Sequence, residues 1–206
     1  MYAEQGRLQE ALDLLEPARQ IFGELGDRRW EATTGMRIGE VYVRQGRLQE
    51  ALAVFDEVRP VLHELGDRRW EAMTILRAGQ AKARQGRPEE ALSDFDQALA
   101  VFRETGDQRF AAITLVNLGE VRARHGRLEE ALAAVDEALP ILQELGDRQR
   151  MAEALRARGR MRAASNDRAV ATEDLRAALR LYVALERHDD AQELQAELAR
   201  LDREHG

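Results

Sequence analysis

The sequence predicts an all-α fold in which antiparallel helix pairs stack side by side as a solenoid. Three observations predict it. A forty-residue unit, Asp27 to Gly66, returns with substitutions at Asp67, Asp107 and Asp147. Three separate glycine sets keep the same period, and between them apolar residues recur every three or four positions, the spacing of one helix face.

Each glycine set has its own physical reason. Gly6, Gly46, Gly86 and Gly126 are each followed by Arg and, two residues further on, by Glu-Ala-Leu. Gly26, Gly66, Gly106 and Gly146 are each followed by Asp. Both sets fall where a helical pattern stops, and glycine takes the left-handed conformation there at little cost. Asp27, Asp67, Asp107 and Asp147 then cap the next helix by accepting its free N–H groups. The third set, Gly39, Gly79, Gly119 and Gly159, interrupts a helix at a cost of about 1 kcal/mol each against alanine. Close helix contact at those points is the expected reason.

Two helices per unit follow, helix A over about 28–45 and helix B over about 48–65. In helix B the stripe is Leu48, Ala51, Leu52, Phe55, Val58, Leu62 and Leu65; in helix A it is Trp30, Thr34, Ile38, Val41 and Tyr42. One pair cannot bury both stripes, so neighbouring pairs must stack.

In chain order, residues 1–26 are a broken unit. Met1 to Gln5 matches the last turn of a helix A, with Tyr2 standing where Tyr42 stands later, and helix B covers about 8–25. Two readings stay open for that edge: a piece of a longer array cut at a loop, or a homodimer formed through Leu8, Leu12, Leu15 and Phe22. Units 27–66, 67–106 and 107–146 are the best preserved. Pro60 and Pro140, with Pro17 nearby in the first copy, fall inside helix B, where a lost backbone bond predicts bending. Pro88 instead fits a first helical position. The unit 147–187 is weaker: Asn166 replaces the turn glycine, and helix B, about 168–186, keeps Ala171, Leu175, Ala178, Leu179 and Tyr182. Residues 188–206 hold a short capping helix that offers Leu194, Leu198 and Leu201 inward and leaves Glu193, Glu197, Arg200 and Arg203 to solvent.

At these residues the chain resembles the tetratricopeptide repeat family, which has Leu-Gly and an aromatic in helix A, then Gly, Ala, an aromatic and Ala along helix B. Ile38-Gly39, Tyr42, Gly46, Ala51, Phe55 and Val58 occupy those places, as do Leu118-Gly119, Gly126, Ala131, Val135 and Ala138. The helix-A aromatic departs from the pattern at Lys82, Arg122 and Arg162. The forty-residue period looks like the long-repeat subclass of kinesin light chains, spindle-orientation adaptors and actinobacterial transcription regulators. HEAT-type repeats share the period, but the Gly and Glu-Ala-Leu spacing favours the first assignment. The resemblance implies one right-handed superhelical array across residues 1–206, whose concave groove is lined by helices A.

Composition excludes several functions. The chain has no cysteine, hence no disulfide or thiolate metal site, which fits a cytoplasmic location. No apolar run reaches about 18 residues, so no membrane segment is expected. A net charge of −7 argues against nucleic acid as a partner. Lysine occurs once, at Lys82, and the arginine, alanine and glycine load suggests a GC-rich bacterial genome. Trp30, Trp70 and Phe110 share one repeat position and read as core between repeats. His63, His125, His188 and His205 are scattered without the clustering a metal needs, and Ser93 and Ser165 lack a nearby base. No cofactor and no catalysis are expected.

Charge placement is more informative. Helices A carry 18 basic and 5 acidic residues, a balance of +13, which leaves −20 for the rest of the chain. Carried over by position, the groove presents Met36, Arg37, Glu40 and Arg44; Leu76, Arg77, Gln80 and Arg84; Val116, Asn117, Glu120 and Arg124; and Arg156 and Arg160. Arg44, Arg84 and Arg124 form a ladder at the repeat interval. Guanidinium groups bind carboxylates in bidentate geometry, so an acidic or amphipathic peptide is the expected guest. Asn117 stands where long-repeat relatives resemble one another in holding a peptide backbone. The rival expectation is a regulatory or oligomerisation segment of a larger, transcription-regulator-like protein.

Overall fold

The computed structural model describes residues 7–203, so the readings of Tyr2, Gly6 and His205 lie outside the described residues. Those residues form ten helices: α1 (Leu8–Glu24), α2 (Arg28–Arg44), α3 (Leu48–Glu64), α4 (Arg68–Arg84), α5 (Pro88–Glu104), α6 (Gln108–Arg124), α7 (Leu128–Glu144), α8 (Arg148–Ala164), α9 (Arg168–Ala184) and α10 (His188–Arg203). The helices divide into two compact units, residues 1–106 and 107–206, and the division falls on a repeat boundary. In unit 1 each helix from α1 to α5 packs on the next, and α2 also touches α4. In unit 2 the same holds from α6 to α10, with α6 touching α8.

The punctuation residues act as their chemistry requires. Gly26, Gly46, Gly66, Gly86, Gly106, Gly126 and Gly146 all have φ between +63° and +77°, and Asn166 substitutes at +64°. Glu186 stands at the same repeat position with φ +56°, a strained choice that the sequence pattern does not single out. The Asp27, Asp67, Asp107 and Asp147 carboxylates accept from the backbone N–H groups of Trp30, Trp70, Phe110 and Arg150. Pro88 opens α5. Pro17, Pro60 and Pro140 lie inside unbroken helices on exposed turns, where a carbonyl freed of its donor can bond water.

The mid-helix glycines mark the tightest contacts. A Cβ on Gly79 would lie 2.7 Å from the Phe95 ring, one on Gly119 2.7 Å from Val135, and one on Gly159 2.7 Å from Leu175. Helix A can therefore lie directly on helix B of its own repeat. The buried side chains of α3, Ala51, Leu52, Phe55, Val58 and Leu62, are the predicted stripe without its ends. Helix A is covered from more than one side: nine residues of α2 are buried, Met36 among them. In unit 2, Leu194 and Leu198 pack with Leu175, Ala178 and Tyr182.

Arginine also staples successive repeats. Arg28 reaches Glu64 at 2.6 Å and Arg68 reaches Glu104 at 3.0 Å, while Arg29 and Arg109 contact the capping carboxylates Asp67 and Asp147. The Arg28–Glu64 and Arg68–Glu104 pairs are exposed on both sides, so each contributes at most about 1 kcal/mol. The four pairs engage four of the 18 basic residues counted on helices A.

Candidate functional site

In unit 1 the solvent-facing strip of helices A is built from α2 and α4. Arg37 and Arg77 both bind Glu40, at 2.9 and 2.6 Å, and Arg77 also donates to the Gln80 side chain at 3.0 Å. The Arg37 guanidinium lies 5.3 Å from the centre of the Trp70 ring. Arg44 and Arg84 are exposed; Arg84 donates to the Val43 carbonyl at 3.2 Å, and neither has an ion-paired carboxylate among the described residues. Met36 and Leu76 are fully buried and do not line a groove, because α2 and α4 are covered on those turns by neighbouring helices.

In unit 2 the strip comes from α6 and α8. Asn117 spends an amide N–H on the Ile113 carbonyl of its own helix at 2.7 Å, which takes that donor away from any guest backbone. Val116 is half-buried. Arg124 is exposed and donates from Nε to the Glu120 carbonyl at 3.3 Å. Arg156 meets Glu193 at 3.0 Å and Glu197 at 3.4 Å, and Arg160 grips Glu197 through two bonds of 2.7 and 2.8 Å. The outer side of α10 is thus not merely solvated, as expected, but supplies counter-charges. Burial would raise Glu197, yet the bonds from Arg160 and the field of Arg156 leave its carboxyl below the usual range. Beside them Glu120, Ala123, Arg124, Leu128, Ala157, Arg160, Met161 and Ala164 line a hollow of about 430 Å³.

Two aspartates missing from the sequence reading explain two of the three departures in helix A, while the third, Arg122, approaches Glu130 at 3.7 Å. Lys82 pairs with buried Asp94 at 2.7 Å, and Arg162 pairs with buried Asp174 at 2.8 Å. Arg158 joins Asp174 and Asp136, both at 2.6 Å. Asp94 and Asp174 stand twelve residues after their cations, where Val54 answers Tyr42 in the first full repeat. That paired change was the available signal. Burial pushes the Asp94 carboxyl up against the opposing pull of Lys82. These cations hold helix A to helix B and are withdrawn from any outside ligand.

The expected apolar edge also moves. Leu8, Leu12 and Leu15 do not face outward but pack with Ile38, Val41 and Tyr42 of α2, and Phe22 stacks on Trp30 with centroids 5.9 Å apart. The large exposed apolar residues of α1 are Leu14 and Ile21, followed by Leu25 at its C-cap, about a third of a turn away. Trp30 is 58% exposed, against the expectation of a core role, because it lacks the cover that Arg37 gives Trp70.

Among the described residues no group of three His, Cys, Asp or Glu side chains could hold a metal ion, and no helix is long and apolar enough to cross a membrane. No curated protein matches the chain by sequence. Among solved structures, the fold is similar to BtubC (BKLC) from P. vanneervenii, with a TM-score of 0.76 at 20% identity over 90% of this chain and 77% of that one. It is similar to the apo form of RapI, with a TM-score of 0.81 at 17% identity over 100% of this chain and 73% of that one. A STAND signal-transduction ATPase with a tetratricopeptide repeat sensor, PH0952 from Pyrococcus horikoshii, gives a TM-score of 0.78 at 15% identity over 93% of this chain and 29% of that one. The tetratricopeptide repeat model matches at residues 1–64, 32–104, 70–144 and 110–184. With ten helices packed in sequential pairs, their glycines seated on the partner helix and the repeat model spanning most of the sequence, the chain belongs to the tetratricopeptide repeat family.

Proposed function

We propose that this chain is a protein-binding module whose helix-A faces take partner segments carrying carboxylates, with Arg44 and Arg84 as the receiving groups of unit 1 and Arg124 as that of unit 2. Tetratricopeptide-repeat arrays are non-catalytic scaffolds that mediate protein–protein interaction. The observation that carries the finer reading is a sorting of the arginines. Arg37, Arg77, Arg156 and Arg160 are neutralised by Glu40, Glu193 and Glu197, whereas the three at the repeat interval are exposed and without an ion-paired carboxylate among the described residues. A Rap protein of similar fold, 16% identical with a TM-score of 0.65, was solved in complex with competence and sporulation factor, which supports the reading of a bound protein or peptide.

The test is fluorescence anisotropy with labelled amphipathic peptides that alternate leucine with glutamate, beside counterparts with glutamine. The glutamate series is expected to bind, to weaken as salt rises, and to lose at least about tenfold in affinity to the Arg44→Glu, Arg84→Glu, Arg124→Glu variant. Equal binding of the glutamine series would falsify the charge reading.

A second reading, self-association as part of a larger regulator, is favoured by α1. Leu14, Ala18, Ile21 and Leu25 follow one another at intervals of four, three and four residues, the spacing of a helix–helix seam. The corresponding Val58 of α3 lies beneath Gly35 of α2, 2.7 Å from where its Cβ would be. An apolar stripe of this spacing is self-complementary across a two-fold axis, so the partner in this reading is the same stripe on a second copy. Sedimentation equilibrium reads it directly. A dimer that Leu14→Asp with Ile21→Asp dissociates is expected, and a monomer at high micromolar concentration overturns it.

A further inference from the structure

One mismatch between the two units leaves a carboxylate without its arginines. In unit 1 Glu40 is held by two guanidinium groups, Arg37 on its own helix at 2.9 Å and Arg77 of α4 at 2.6 Å. Eighty residues later the same three positions hold Glu120, Asn117 and Ala157. The acid is kept and both cations are gone. The hollow of about 430 Å³ opens there, with Glu120 and Ala157 both in its lining. The Glu120 carboxylate accepts no hydrogen bond from a described residue, although its backbone carbonyl accepts one from Arg124.

The neighbouring charges do not replace what is missing. Arg160 is committed to Glu197 by two hydrogen bonds, and Arg156 to Glu193 and Glu197. Arg124 lines the hollow, but its hydrogen bond goes to the helix backbone. Desolvation in the hollow raises Glu120, even though part of the side chain reaches water, and outweighs the pull of Arg124 and Arg160. An acid so placed gains from a counter-charge brought by a ligand.

We infer that this hollow is a receptor for an arginine side chain of a protein partner, with Glu120 accepting the guanidinium as Glu40 accepts Arg77. The rest of the lining suits such a guest. Ala123, Ala157, Met161 and Leu128 offer apolar surface to the three-carbon stem, and a planar guanidinium matches a carboxylate in bidentate geometry. Arginine is preferred over lysine because the same cradle in unit 1 is filled by arginine. The site rests on the reading that partners dock on the helix-A strip. It adds to that reading a guest with a cation beside the carboxylate that Arg124 receives.

The test titrates N-acetyl-argininamide into the isotope-labelled chain and follows backbone and methionine methyl resonances by NMR, with N-acetyl-norleucinamide and N-acetyl-glutamate amide as controls. Saturable shifts at Glu120, Ala157 and Met161, with a Kd on the order of millimolar, are expected for the arginine probe alone. Glu120→Gln should weaken binding at least about tenfold, the loss of one charge-assisted pair. Ala157→Arg should abolish it by installing the arginine that unit 1 already has. Glu120→Gln changes a surface side chain and keeps the fold, so the proposal stays testable if Ala157→Arg fails to fold. Shifts spread over the surface, shifts equal for all three probes, or shifts indifferent to Glu120→Gln overturn it. Because the probe is one amino-acid amide, failure here leaves the charge-reversal result at Arg44, Arg84 and Arg124 standing, and failure there leaves this result standing.

Discussion

In unit 1 the acid that ties the helix-A strip together is Glu40 on α2, reaching forward to Arg77 on α4; in unit 2 Arg160 on α8 reaches forward to Glu197 on α10. Both pairs span thirty-seven residues and occupy the same two repeat positions, with the signs exchanged. Where an ion pair crosses between helices A in these two places it uses the same two repeat positions, and the repeat leaves open which side is positive. Charge counted along one class of helix overstates the field a ligand meets, since each unit carries its counter-charges on the next helix.

The units differ also in their buried ions. Unit 1 has one cation, Lys82, on Asp94, whereas unit 2 has two, Arg158 and Arg162, on Asp174. Asp174→Ala is expected to destabilise unit 2 by about 3–5 kcal/mol, because it strands Arg162 in the helix interface and leaves Arg158 with the more exposed Asp136 alone. Asp94→Ala should cost unit 1 about 2 kcal/mol, since a lysine stem can bend its ammonium toward water. Native-state hydrogen exchange reads each unit separately, which one melting curve of an array does not. Equal losses would erase the contrast.

A smaller effect is expected from the surface clamps. Glu40→Gln should cost unit 1 about 1–3 kcal/mol while releasing Arg37 and Arg77, so that glutamate peptides bind more tightly as exchange protection falls. Glu197→Gln should do the same for Arg156 and Arg160 in unit 2, at about 1 kcal/mol because Arg160 is half open to solvent. The second pair also predicts a pH dependence. A carboxyl depressed in the folded state contributes stability that is present above the unfolded glutamate value and lost as pH falls through the folded one. Protection of α8 and α10 should therefore decline below about pH 4.3 in the wild type, and this part of the decline should be absent in Glu197→Gln. The smallest change is at Arg44: Arg44→Ala should alter stability by no more than about 0.5 kcal/mol while weakening acidic-peptide binding. A large stability loss would mean that the side chain is structural.

Helix ends were legible because they depend on local chemistry. Gly and Asn reach the left-handed region, Asp caps the next N-terminus, and every helix begins and ends within two residues of its expected place. The mid-helix glycines were legible too, since their cost demands a close neighbour, and Phe95, Val135 and Leu175 are those neighbours. The site was legible as a list of positions and not as a surface. Met36 and Leu76 have the right register but the wrong burial, and Leu12 belongs to the core where an outward edge was expected. Each error concerns which side of a helix a neighbour covers, and a single helix does not carry that information.

The sequence by itself determined the repeat, its punctuation and the class of fold, because glycine conformation, aspartate capping and the spacing of apolar residues act within one helix pair. Only the tertiary structure decided which arginines remain for a partner. Whether a guanidinium is free depends on carboxylates thirty-seven residues away in Arg77 and Arg160, and on Asp174 sixteen residues away in Arg158. The thirty-seven-residue separations become contacts only when one helix pair is laid on the next, and the sixteen-residue one when helix B folds back on helix A, so the charge of the helix-A strip belongs to the tertiary structure and not to any one helix.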